Sequence, residues 1–321
     1  MSSQSGSAPE RLIDDSGAST AGPAVGDKDQ GAKRGKRFYC DIHRKKDDSG
    51  YRITYTTDGE NFRHVDSPVE IPVGPGDKVY VDTIPIIHTD GFIELLRRGA
   101  EVYYLRRLTL IEKMRQRLGI KLKSAKADIK ILMTIDEKWF KRVDENFLIM
   151  RQLLSSFRSV EKNKRRLENQ LKAASQATKE SLKRLVDHAE EEKLTIARQI
   201  TEEAGRRYPA YNTLVEKLKI SGENHLLAKE ALAEILIYVT PNWGLRKTTN
   251  FFGLYKNTNK KKKKLYNGHA RKALERLTIA VYNINKDLTA KLQKQLLKQI
   301  WLTIRREAQE RLAGIPAQQQ G

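Results

Sequence analysis

The residues best placed for chemistry lie in the stretch Arg37-Phe38-Tyr39-Cys40-Asp41-Ile42-His43, a short apolar run with an aspartate near its end. The chain that follows reads as a sheet and helices able to bring further carboxylates to Asp41. Converging acids offer hard oxygen ligands, the set that Mg2+ takes, and such a centre works on phosphodiesters. The stretch is therefore read as the first strand of a metal-dependent nucleic-acid domain. His43 fits two roles equally, an assistant at the metal or a structural histidine on a basic face.

A second kind of chemistry is phosphate contact. The chain carries 61 Lys+Arg against 40 Asp+Glu, a formal net charge of +21, which points to a polyanionic partner. The run Lys260, Lys261, Lys262, Lys263, Lys264, with Arg246, Lys247, Arg271 and Lys272 near it in sequence, suits contacts that position nucleic acid without reading its sequence. Gly222, in a turn between two short helices, can present backbone N–H groups to a phosphate. Membrane spanning is not expected. The longest strongly apolar run, residues 231–239, is interrupted by Glu234 and falls short of the roughly 20 residues a spanning helix needs. No basic-then-apolar signal segment is expected at the start. The single cysteine, Cys40, excludes an intramolecular disulfide framework and a Cys-rich zinc site.

The elements that must position these groups follow from the pattern. Residues 1–36, rich in Ser, Gly, Ala, Pro and charge, read as a disordered basic arm. Segments 38–43, 51–56 and 61–65, separated by Ser-Gly and Asp-Gly turns, read as an antiparallel meander. Strand 78–82, a helix over 89–98 closed by Gly99, strand 101–105 and a helix over 108–118 ending at Gly119 complete a mixed sheet with helices on its faces. No Gly or Pro occurs from Ile120 to Ala204, which predicts long helices. Leu153, Phe157, Val160, Lys164, Leu167, Leu171 and Ala174 keep a 4,3 spacing, as do Leu182, Val186, Ala189, Lys193, Ile196 and Ile200. One straight helix over this span would approach ~100 Å, so an antiparallel hairpin turning at 175–181 is favoured over drift of an unbroken helix. Helices over 211–218 and 225–239, a segment 242–255 and helices within 271–312 follow.

Three stretches together resemble the DEDD-type insertion-sequence transposases related to the pilin-gene invertases. Asp41-Ile42-His43-Arg44-Lys45-Lys46 is similar to an opening D-x-H-K-K. Residues 79–102 continue to Lys123-Ser124-Ala125-Lys126-Ala127-Asp128, which resembles K-T-D-K-x-D. The third stretch joins residues 220–234, the segment Phe251-Phe252-Gly253-Leu254-Tyr255, the lysine run and residues 267–274. It is similar to that family's hairpin and basic motifs. Order and spacing hold over roughly residues 37–300.

The resemblance implies an RNase H-like (RuvC-like) α/β domain over 37–142, a long antiparallel coiled coil over 143–207, an all-α helix-hairpin-helix domain over 208–313 and a tail at 314–321. It implies a homo-oligomeric DNA recombinase acting with a structured noncoding RNA, in a prokaryotic cytoplasm and nucleoid-associated. Asp41, Asp82 and Asp128 would be the catalytic and Mg2+-binding residues. Lys45, Lys46, Lys123 and Lys126 join the nucleic-acid contacts. The chain also departs from the family: Asp82 stands where a Glu is usual, Ala125 replaces an aspartate, and Thr258 is the only hydroxyl in the loop that holds a nucleophilic serine. A carboxylate at 125 would share a helix face with Asp128, so one metal rather than two is expected. The alternative is an inactive, transposase-derived RNA- or DNA-binding scaffold.

Overall fold

The computed structural model describes residues 35–45, 47, 49–255, 266–284 and 289–314. Lys46, Thr258 and the run Lys260–264 lie outside the described residues.

Six strands, β1 (Arg37–Arg44), β2 (Tyr51–Thr56), β3 (Arg63–Val65), β4 (Lys78–Val81), β5 (Glu101–Leu105) and β6 (Phe140–Val143), form one mixed sheet in the order β3-β2-β1-β4-β5-β6. The meander is antiparallel, β1, β4 and β5 run parallel, and β6 closes the far edge antiparallel to β5. The parallel crossover from β4 to β5 is α1 (Thr89–Arg97). It ends at Gly99, whose φ of 86° is the left-handed conformation that glycine takes without a Cβ penalty. Helix α2 (Thr109–Arg117) ends in the same way at Gly119, φ 66°. Helix α3 (Ala125–Thr134) starts where the Ser124 side chain accepts the Ala127 N–H.

Side chains alternate across the sheet, so each face has its own core. Phe38, Cys40, Ile42, Val79, Val81 and Val102 point to one face and pack with Phe92 and Leu95 of α1. Tyr39, Tyr80 and Tyr103 are register partners on the opposite face, stacked at 5.1 and 5.0 Å between ring centroids. There Tyr80 and Leu105 pack with Ile131 and Leu132 of α3 and Phe140 of β6. Each fully buried large side chain contributes about 1.5–3 kcal/mol.

Strand β6 was not foreseen in the stretch from Ile120 to Ala204, whose lack of Gly and Pro predicts long helices. The lack of Gly and Pro permits a helix but does not compel one. Phe140 and Val143 gain more from pairing with β5 and filling the sheet cores than from extending α3.

Asp144 then caps α4 (Glu145–Ala173) by accepting the Phe147 N–H, and α5 (Gln176–Arg207) returns after Ala174 and Ser175. The two helices are antiparallel neighbours: Arg207 meets Asn146 near one end, and Lys164 meets Glu190 farther along. The two lysines in the 4,3 seams share one acid, since Lys164 and Lys193 each lie 2.6 Å from Glu190. No residue from 158 to 195 is buried, whereas Met150, Leu154, Phe157, Ile196, Ala197 and Ile200 enter a third core. That core also takes α6 (Pro209–Lys217), α7 (Leu226–Leu236), α8 (Leu245–Phe251), α9 (Gly268–Tyr282) and α10 (Ala290–Leu312). Among the described residues, no helix is long and apolar enough to cross a membrane.

Candidate functional site

The parallel register of β1 and β4 sets the geometry. Cys40 pairs with Val81, so Asp41 and Asp82 are the next residues along two adjacent strands, about 4.8 Å apart between strands. Both follow the tyrosine-bearing face by two residues, and α3 packs on that face of β1, bringing Asp128 over it. Asp41 and Asp128 are both buried, at 8% exposure. The charge of Asp128 acts on both Asp41 and Asp82, and that of Asp41 on Asp82.

Each carboxylate has a different local environment. Burial raises the Asp41 carboxyl above its ordinary range, with His43 opposing the rise and Asp128 adding to it. The His43 Nδ1 lies 3.1 Å from Asp41 Oδ2 and orients it. Burial, then the charge of Asp41, pushes Asp82 up to about 7, against the Thr83 N–H that donates to Asp82 Oδ1 at 2.7 Å. Asp128 is held in an ion pair by the guanidinium of Arg115 on α2. Cys40, wholly buried beneath the site, has its thiol pushed up by burial, which disfavours the thiolate a nucleophile needs.

A hard cation fits part of this set. Mg2+ is commonly held by one or two carboxylates, with water and phosphate oxygens completing its shell. Asp41 and Asp82 supply such a pair, and their mutual repulsion is what a divalent cation would relieve. Asp128 Oδ1 instead accepts a hydrogen bond from Arg115 of α2. Among the described residues, no group of three or more His, Cys, Asp or Glu side chains is arranged to hold a metal. Electrostatic proximity and the absence of a closed ligand set are compatible. The acids are close enough to repel, and the third is held in an ion pair by Arg115.

The candidate phosphate contacts divide into two groups. Near the acids, exposed Lys123 favours the charged form of Asp41, and Lys126 lies over the Phe62 ring at 5.4 Å. Lys45 is engaged by Asp66 at 2.8 Å. In the helical region, Arg246 and Lys247 are exposed on α8, with Lys247 over Trp243 at 4.5 Å. Arg271 is paired with Glu275, and exposed Lys272 lines a cavity with Arg158, Arg165 and Arg276.

In the turn after α6 the left-handed residue precedes the glycine. Lys219, φ 55°, takes the left-handed position, while Gly222 has an ordinary φ of −63° and precedes the short turn Glu223–His225. A Cβ on Gly222 would meet Asn224 Oδ1 at 2.5 Å, the end of a flexible side chain.

Sequence reasoning missed Arg115, whose pairing with Asp128 is long-range and has no local signal. It also missed the buried network of Glu230, Glu234, Arg158 and Arg276. There the signal was present, as two acids four residues apart in the most apolar helix of the chain. No family model matches this chain, and no curated protein matches it.

Proposed function

We propose that this chain is a DNA recombinase of the insertion-sequence transposase type, with residues 37–142 as an RNase H-like (RuvC-like), Mg2+-dependent domain. The observation that carries the reading is the placement of buried Asp41 on β1 beside partly buried Asp82, which directly follows the parallel strand β4, the two repelling each other, with Asp128 above them on α3. The meander leading into parallel strands, with acids where the two meet, supports the RuvC-like assignment.

Asp41 and Asp82 would hold Mg2+, and His43 fixes the orientation of Asp41. When bound there, Mg2+ supplies Lewis-acid polarisation of a phosphodiester oxygen. Lys123 and Lys126 attract the strand to the acids, and Arg246, Lys247 and Lys272 engage phosphates farther along. The α4–α5 hairpin, read as a coiled coil, would join subunits into a homo-oligomer. A structured noncoding RNA would guide the DNA, and the proposed setting is cytoplasmic and nucleoid-associated.

The test is incubation of purified protein with Mg2+, RNA transcribed from sequence flanking its gene and end-labelled donor and target duplexes. Nicked or exchanged strands are expected, and D41N abolishes them without weakening DNA binding. A second reading, an inactive nucleic-acid scaffold, is favoured by the Arg115–Asp128 ion pair and by Ala125. It predicts intact binding with no strand cleavage under the same conditions, and that outcome would refute the enzymatic reading.

A further inference from the structure

A cavity of about 200 Å³ opens beside Asp82, between the ends of β4 and β5 and the first turns of α4. Its wall includes Thr83, Tyr104, Arg106, Phe147 and Arg151. It is smaller than the roughly 300 Å³ at which sites for drug-sized ligands begin, so it suits a small group and not a whole cofactor. Arg106 directly follows β5, and its N–H donates to the Trp139 carbonyl at 3.0 Å, which fixes its backbone. Arg151 lies one turn beyond Phe147 on α4, and that ring stacks on Tyr104 at 5.8 Å.

What distinguishes these two arginines is that they share one cavity. Arg97, Arg98, Arg115, Arg142 and Arg158 each have a carboxylate within ion-pair distance. Among the described residues, neither Arg106 nor Arg151 has one. Burial works against the charge of Arg151, and neighbouring Arg158 adds to that effect while the hydroxyls of Tyr104 and Tyr238 oppose it. Lys141, over the Phe147 ring at 3.9 Å, adds a third cation nearby. Its ammonium is pushed down to about 8, first by burial and also by Arg106, against Asp144. A partly buried guanidinium without a carboxylate partner, as at Arg151, favours an anion beside it, and a planar guanidinium fork matches phosphate oxygens.

We infer that this cavity is a phosphate-binding subsite, in which Arg106 and Arg151 hold one phosphodiester of a nucleic-acid strand lying against Asp82. The owner of the phosphate rests on the proposed nucleic-acid function; the anion preference of the cavity does not.

The full-length protein would be titrated with inorganic phosphate by phosphorus NMR. Separately, it would be titrated with a short fluorescein-labelled DNA duplex by anisotropy across a series of KCl concentrations. Wild type and the exposed-site control R117Q are expected to bind phosphate saturably, and R106Q/R151Q to lose that binding. DNA affinity of the double variant should fall on the order of tenfold, and its logarithmic salt dependence should become shallower by about one. Near-UV circular dichroism reports folding. R106Q alone, at an exposed position, gives the same readouts if the double variant unfolds. Phosphate binding absent from wild type, or unchanged in the variants, overturns the subsite, as does unchanged DNA binding by the variants. Phosphate binding lost in the variants, with no DNA binding by any protein, supports the anion site and refutes the nucleic-acid function.

Discussion

Glu230 and Glu234 on α7 are buried more deeply than Asp41 and Asp128, at 0% and 3% exposure, yet both are paired with arginine. Arg276 reaches Glu230 at 2.7 Å and Glu234 at 2.9 Å, and Arg158 pairs with Glu234 from α4. The hydroxyl of Tyr238 accepts a further bond from Arg158 at 3.1 Å. Among the described residues, neither Asp41 nor Asp82 is paired with an arginine or lysine: a histidine touches one and a backbone N–H the other. One region joins α4, α7 and α9 through compensated charge. The other leaves acids repelling one another at the edge of a cavity. The contrast separates acids paired with arginine from acids that repel one another. Asp128, with its single arginine, stands between the two cases.

The largest expected effect lies on the compensated side. Arg276→Met leaves two buried glutamates with Arg158 alone and should lower unfolding free energy by about 3–5 kcal/mol, read from urea midpoints. A loss below about 1 kcal/mol would show that the network is not structural.

The same network should impose a pH dependence. Burial raises the Glu230 carboxyl to about 7, against the pull of Arg276. The folded state then binds this proton more tightly than the unfolded chain, whose ordinary value is 4.5. The contribution is complete below 4.5 and is lost as pH rises toward and through 7. Wild-type stability should therefore fall relative to Glu230→Gln across that window, measured as melting temperature against pH. A constant difference would contradict the assignment.

On the uncompensated side, Arg115→Gln frees Asp128 to join Asp41 and Asp82. Divalent-cation affinity, measured by calorimetry with Mn2+, should tighten on the order of tenfold, the scale of one charge-assisted hydrogen bond. Weaker binding would mean that Arg115 supports the site instead of competing at it. The smallest effect is expected at the half-exposed seam of the hairpin. Lys164→Ala, which breaks the contacts with Glu168 and Glu190, should cost less than about 1 kcal/mol.

Much of this contrast was legible in the residues and part of it was not. Asp41 was visible because an acid ends a run of alternating apolar residues, and Gly99 and Gly119 marked helix ends through their backbone freedom. The hairpin was legible because two 4,3 seams slip by one residue, and Ala174 and Ser175 supply the break at the edge of the expected turn. Strand β6 was hidden because its pairing partner, β5, lies 35 or more residues earlier in the chain. The Arg115–Asp128 pair was hidden for a similar reason: it depends on how α2 and α3 cross. Glu234 was visible as an interruption of the apolar run, but its meaning lay in Arg158 and Arg276, which are remote in sequence.

The central claim is that Asp41 and Asp82 form a site for a hard divalent cation. Anomalous diffraction from crystals grown with Mn2+ tests it directly. One peak between the Asp41 and Asp82 carboxylates, absent in Asp82→Asn, is the predicted result. Well-ordered carboxylates with no peak at saturating Mn2+, or a peak unaffected by that substitution, would contradict it.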